Sequence, residues 1–189
     1  MQISALTAIG QATTNAASAK IYGLELQLGA RLGARTDLTL GAQFLHARFN
    51  SFPNATCSTF TIGAGLPYSA VTCDVSGNRL PIAPRLKLNL GGTHRIPLGS
   101  SGSLRLSGNL AYNDGYFAEP DNVVRQDGFA TVDLSSEWRP REGGLSVRLW
   151  TLNLTNAHYF NALATVQTLG VLQNPAPPRR FGVAIGYSF

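Results

Sequence analysis

Between Tyr22 and Leu32, bulky and small or polar side chains alternate without a break. Tyr22, Leu24, Leu26, Leu28, Ala30 and Leu32 fall on one side, and Gly23, Glu25, Gln27, Gly29 and Arg31 on the other. A period of two marks a strand with one apolar and one polar face. The pattern recurs along the chain. Leu86, Leu88, Leu90 and Ile96 oppose Arg85, Lys87, Asn89, Gly91, Thr93 and Arg95, with His94 interrupting the apolar row. Leu104, Leu106, Leu110 and Tyr112 oppose Arg105, Ser107, Asn109 and Ala111, and Ala130, Val132, Leu134 and Trp138 oppose Thr131, Asp133, Ser135 and Glu137. The chain closes on the same pattern: Phe181, Val183, Ile185, Tyr187 and Phe189 against Gly182, Ala184, Gly186 and Ser188.

This alternation predicts strands at 2–9, 18–33, 36–49, 83–96, 102–113, 126–139, 144–155 and 179–189. Most exceed the roughly 5–6 residues of ordinary strands and reach the roughly 9–11 that a tilted membrane-spanning strand needs. The connections alternate too. Short ones fall at 33–36, 97–101 and 140–143, and long ones at 10–17, 50–82, 114–125 and 156–178. Tight turns on one side and long loops on the other are the pattern of an outer-membrane barrel. The C-terminus then lies on the periplasmic side and the long loops are extracellular. Tyr22, Tyr112, Trp138, Tyr187 and Phe189 sit at strand ends, where interfacial aromatics belong. A soluble sheet with one wet face also alternates, but it leaves the strand lengths and aromatic ends unexplained. The expected fold is therefore all-β: an antiparallel up-and-down transmembrane β-barrel of about eight strands, partial or open.

Composition agrees. Charged residues are 13% while hydrophobic ones are an ordinary 44%, as expected when strands are apolar on alternate positions only. No stretch approaches the roughly 20 apolar residues of a spanning helix. The net charge of +5 is scattered, with Arg179-Arg180 the only adjacent basic pair. That lacks the footprint of a nucleic-acid binder, and none is expected. Cys57 and Cys73 lie in the longest loop without neighbours at metal-ligand spacing. A disulfide in an oxidising compartment is the reading they support. Ala17-Ser18-Ala19 matches a leader cleavage site by chance, since no basic, apolar leader precedes it. The chain reads as the C-terminal piece of something longer.

At this level the residues resemble the C-terminal part of the barrel of TonB-dependent outer-membrane receptors. Four pieces carry the resemblance: Asn15–Leu26 with its Gly23-Leu24-Glu25, Gly77–Arg85 with Leu80-Pro81-Ile82-Ala83-Pro84, Leu149–Tyr159 with Asn153-Leu154-Thr155-Asn156, and the closing Pro178–Phe189. The resemblance implies a parent barrel of about 22 strands with a plugged lumen. It also implies a bacterial outer-membrane location and a transport function without catalysis. In the parent, extracellular loops and the plug capture a scarce ligand, such as an iron-siderophore, a cobalamin or a glycan. Energy-coupled plug movement then releases it inward. The N-terminal strands, the plug and its contact with the energy-coupling TonB protein lie outside this sequence. Implied partners are outer-membrane lipid, the missing strands and plug, the coupling protein, and the barrel-assembly machinery. That machinery would read the terminal strand through Phe181, Val183, Ile185, Tyr187 and Phe189.

Candidate ligand contacts are the loop aromatics Tyr68, Tyr116, Phe117, Tyr159 and Phe160. No catalytic, cofactor or metal site is expected. His46, His94 and His158 have no second ligand at i+2 to i+4, and no serine sits in a nucleophile elbow. Two other readings stay open: an autonomous small barrel acting as a structural protein or adhesin, and an outer-membrane hydrolase.

Overall fold

A computed structural model describes residues 2–7, 10–15, 18–59, 69–166 and 170–187. Its framework is a seven-stranded antiparallel sheet. In chain order the strands are β3 (Ser18–Leu32), β4 (Thr36–Ser51), β7 (Leu86–Pro97), β8 (Ser103–Phe117), β9 (Arg125–Arg139), β10 (Leu145–Leu152) and β13 (Arg180–Tyr187). Each pairs with its chain neighbour in this series, and β3 and β13 form the two edges.

Three two-stranded hairpins and a short 3-10 turn at Gly99–Ser101 complete the described elements; the hairpins are β1 (Gln2–Thr7) with β2 (Gly10–Asn15), β5 (Ala55–Thr59) with β6 (Ser69–Cys73), and β11 (Phe160–Val166) with β12 (Gly170–Pro175). The first corrects the expected count. Gln2–Thr7 does not join the sheet but pairs with Gly10–Asn15, which sequence assigned to a loop, so among the described residues the sheet has seven strands rather than about eight. Among the described residues no helix is long and apolar enough to cross a membrane. In a barrel, strands make the crossing.

Register turns the alternation into continuous rows. Leu28, Leu40, Leu90, Leu110 and Val132 align across five strands on one face. One residue along, Gln27, Gly41, Asn89, Ala111 and Thr131 align on the other. A slip of one residue in any strand would bring a charged residue onto the apolar face, so the pattern itself fixes pairing. The interruption at His94 is satisfied locally, because its Nδ1 and the Thr36 hydroxyl share a 2.7 Å hydrogen bond across β4 and β7. At the short turn after β7, the Trp138 indole N–H donates to the Ser101 carbonyl at 2.9 Å. An amphipathic ring is thereby anchored at the short-turn end of the sheet.

Burial is inverted relative to a water-soluble protein. Large apolar side chains on the sheet are exposed, among them Leu24, Leu28, Phe44, Leu149, Phe181, Val183 and Ile185. The enclosed apolar clusters lie instead at the end with the long connections. Ala47, Phe49, Phe52, Ala55, Cys57, Val75 and Leu80 form one, and Ala118, Val124 and Leu163 the other. Exposure of a whole apolar face is untenable in water and expected in lipid, where no hydrophobic drive covers it with protein.

Candidate functional site

Two asparagines close β10. Asn153 and Asn156 both take positive φ, 53° and 52°, a conformation asparagine tolerates far better than most residues. This stops the strand at Leu152, short of the 155 expected from alternation. Asn153 is buried, and its side chain ties both ends of the following excursion. Its Oδ1 accepts from Ala157 N at 2.9 Å, and its Nδ2 donates to the carbonyls of Ala157 at 3.0 Å and Pro177 at 3.3 Å. The backbone N–H of Asn153 donates to Asp133 at 2.8 Å. The Asn-Leu-Thr-Asn segment is thus a clasp that returns the chain to the sheet, and Thr155 adds a bond from its hydroxyl to the Ala130 carbonyl at 2.8 Å.

The segment before β7 runs beside the upper half of β4. Leu80 N donates to Ala47 O at 3.0 Å, Gly77 N to Phe49 O at 2.8 Å and Phe49 N to Asn78 O at 2.9 Å. It then crosses to the next excursion. Arg79 N donates to Asn122 Oδ1, and Asn122 Nδ2 donates back to Arg79 O, both at 2.9 Å. Asn78 Nδ2 reaches Pro120 O at 3.1 Å. A third tie runs onward: Glu119 Oε1 accepts from Thr165 N at 3.1 Å and from its hydroxyl at 3.0 Å, and Gln126 Oε1 accepts from Phe160 N at 2.8 Å. The long connections are therefore stitched to one another. Burial raises the Glu119 pKa and outweighs the two bonds from Thr165, with Asp121 adding to the rise.

Arginines gather at the mouth. The Arg79 guanidinium stands 5.4 Å over the Phe117 ring. Burial lowers its pKa; Asp114 offsets this, while Arg85, Arg48 and Arg125 add to it. Arg85 pairs with Asp114 at 3.3 Å and Arg125 with Asp127 at 2.6 Å. Below, a cleft of about 470 Å³ on the polar face is lined by Glu25, Gln43, Lys87, Asn89, Asn113 and Phe129. The Phe129 ring stacks on Tyr159 at 4.1 Å and 5°. A larger depression of about 650 Å³ includes Leu38, Gly92, Leu106, Leu134 and Phe181, and belongs to the apolar face.

The expected aromatics divide. Tyr116 and Phe117 are the last residues of β8, not loop residues, because pairing with β9 continues through Phe117 and Arg125. Tyr159 faces Phe129, while Phe160 packs against the Ala118, Val124 and Leu163 cluster. Tyr68 and Phe189 lie outside the described residues. Sequence reasoning missed Phe129 and Arg79. Phe129 falls on the polar face of a strand, where an aromatic is out of pattern, and that exception was the available signal. Cys57 and Cys73 are joined in the β5–β6 hairpin, with Cα atoms 5.9 Å apart. Among the described residues no cluster of His, Cys, Asp or Glu assembles a metal site.

Comparison with known proteins places this geometry. A family model described as TonB dependent receptor-like, beta-barrel, matches residues 2–157. The ferric yersiniabactin uptake receptor FyuA from Yersinia pestis is similar over 91% of this chain and 24% of its own, at 18% identity and a TM-score of 0.70. The siderophore receptor PiuA from Acinetobacter baumannii is similar over 98% and 24%, at 15% identity and a TM-score of 0.69. BauA, the ferric preacinetobactin receptor of the same organism, is similar over 100% and 26%, at 17% identity and a TM-score of 0.64. The chain spans about a quarter of the length of these receptors. With its alternating rows, its one-sided long excursions and a family match over most of its residues, the chain belongs to the TonB-dependent receptor β-barrel family.

Proposed function

We propose that this chain supplies the C-terminal wall and part of the mouth of an energy-coupled outer-membrane receptor. The parent protein would supply the remaining wall and the plug. Its ligand is scarce and anionic, with an iron-siderophore favoured over a cobalamin or a glycan. One observation carries this preference: Arg79, half-buried over Phe117, has no carboxylate ion-paired to it among the described residues, while its neighbours Arg85 and Arg125 pair with Asp114 and Asp127. A cationic, partly dry mouth favours ligands rich in carboxylate or catecholate oxygen. The stacked Phe129 and Tyr159 offer a flat apolar wall beneath it. Phe117 and Tyr159 are the ligand-facing aromatics in this reading, Tyr116 falls on the other face of β8 by alternation, and Phe160 supports the β11–β12 hairpin. Release to the periplasm would run through the plug and the energy-coupling protein. The terminal strand, through Phe181, Val183, Ile185 and Tyr187, would serve barrel assembly.

The test is uptake of labelled ferric chelates by iron-starved cells carrying or lacking the gene. Energy-dependent uptake of one chelate is expected to vanish with the gene. Arg79→Ala with Arg125→Ala should weaken surface binding about 10-fold or more, as loss of two charge-assisted contacts implies. Unchanged uptake in the deletion strain, or transport of an uncharged ligand alone, would overturn the reading.

A further inference from the structure

We propose that the extracellular end of β3 and β4 is a binding site for the phosphorylated headgroup of an outer-leaflet lipid. The inference rests on the membrane reading above but concerns the apolar face of β3 and β4 rather than the ligand contacts of the mouth.

Register places Lys20 directly opposite Arg48, and Tyr22 directly opposite His46. All four share a face with Leu24, Leu26 and Leu28 of β3 and with Phe44, Ala42 and Leu40 of β4, which is the apolar face. Two cations facing each other across strands repel, and such pairs are destabilising unless something lies between them. No acidic residue of β3 or β4 falls on this face: Glu25 and Asp37 both have the other parity. The nearby Asp74 is occupied by the Ser76 amide at 2.9 Å and by its hydroxyl. Arg48 is held in place by one bond, from Nη1 to Gly77 O at 2.6 Å, which leaves its other N–H groups free to donate.

Beneath the cations lies a plate of two rings. Tyr22 and His46 stack at 4.6 Å and 18°, with Lys20 Nζ 5.4 Å from the tyrosine centroid. Next along the strands, Leu24 and Phe44 are 66% and 52% exposed. The order is thus cation pair, aromatic plate, bare apolar surface, running from the extracellular rim toward the middle of the wall. A free phosphate would use only the first. A lipid with a phosphate at its head and acyl chains below uses all three, with the phosphate between Lys20 and Arg48 and the chains along Leu24 and Phe44. Basic residues near a membrane surface attract anionic headgroups in this way, and aromatic rings settle at the headgroup level.

The experiment is native mass spectrometry of the protein purified in detergent from outer membranes. The probes are bisphosphorylated lipid A, its dephosphorylated form and inorganic phosphate. The wild-type protein should retain the phosphorylated probe about 10- to 30-fold better than the dephosphorylated one, the range expected for two surface cations. Lys20→Gln with Arg48→Gln should erase that preference, and Arg105→Gln on the polar face should keep it. Lys20→Gln alone, on an exposed edge strand, should lower it several-fold and serves if the double variant does not fold. Equal retention of both lipids, an unchanged preference in the double variant, or displacement by millimolar inorganic phosphate would overturn the inference. Absence of the protein from the outer-membrane fraction would instead sink the membrane reading beneath it.

Discussion

The indole of Trp150 lies against the Cα of Gly182, its cross-strand partner, so that a Cβ at Gly182 would fall inside the ring. Both residues sit on the polar face, where the large ring takes the place of two side chains. Gly182→Ala should therefore force the indole away or spread β10 from β13. The expected loss is about 1–3 kcal/mol, as for overpacking. Heat-modifiability on SDS gels should show it as an earlier transition. Adding Trp150→Ala should recover part of the loss, and no recovery would mean the contact is not the cause.

Asn153 contributes both a backbone conformation and a set of hydrogen bonds, and two variants separate them. Asn153→Gly keeps the positive φ and loses only the side-chain ties. Asn153→Ala loses both and should cost about 1–2 kcal/mol more, the penalty of a left-handed residue with a Cβ. Protease nicking of segment 157–179 is the readout. Equal sensitivity in the two variants would contradict the assigned backbone role.

Glu119 predicts a pH dependence confined to the mouth. Its pKa in the folded protein is raised above the ordinary glutamate value by burial. A raised acid holds its proton more tightly when folded, so its stabilising contribution is full below the unfolded pKa. It is lost as pH rises through the folded value. Hydrogen-exchange protection in β11 and β12, taken relative to the intrinsic rate at each pH, should therefore fall from about pH 4.5 upward. Glu119→Gln can still accept from Thr165 but cannot ionise, and should flatten this profile. Wild-type protection that rises with pH would reverse the assigned sign.

Ile82 is a β-branched residue at φ 53°, and 68% of its surface is exposed. The conformation is costly and little burial repays it. Ile82→Asn should stabilise the segment leading into β7 by about 1 kcal/mol. A loss of stability would mean that the isoleucine makes a contact beyond those its exposure shows. The same substitution would then be the way to find it.

Much of the wall was legible because membrane strands obey a simple rule. Tyr22–Leu32 alternates without exception, and β3 spans Ser18–Leu32 almost as expected. The mouth follows other rules. The strands β5 and β6, as Ala55–Thr59 and Ser69–Cys73, are short and rich in Ser and Thr, and are stabilised by pairing with each other rather than by a lipid face. Alternation could not separate them from loop. Segment 2–9 failed in the opposite sense, because a short alternating run fits a hairpin as well as a wall strand. Arg79 was one scattered cation among many until the Asn122 bonds placed it over Phe117.

The inverted burial has a thermodynamic consequence. The cluster around Phe49, Phe52 and Leu80 is folded against water, while the Leu and Val rows of the sheet are folded against hydrocarbon. Only the first exposes new apolar surface to water on opening, and so only it carries the positive heat-capacity change of a water-soluble core. Urea acts on that small cluster long before it reaches the wall. In calorimetry the molecule should behave as two bodies with two solvents: a mouth that weakens in the cold and in denaturant, and a wall that ignores both.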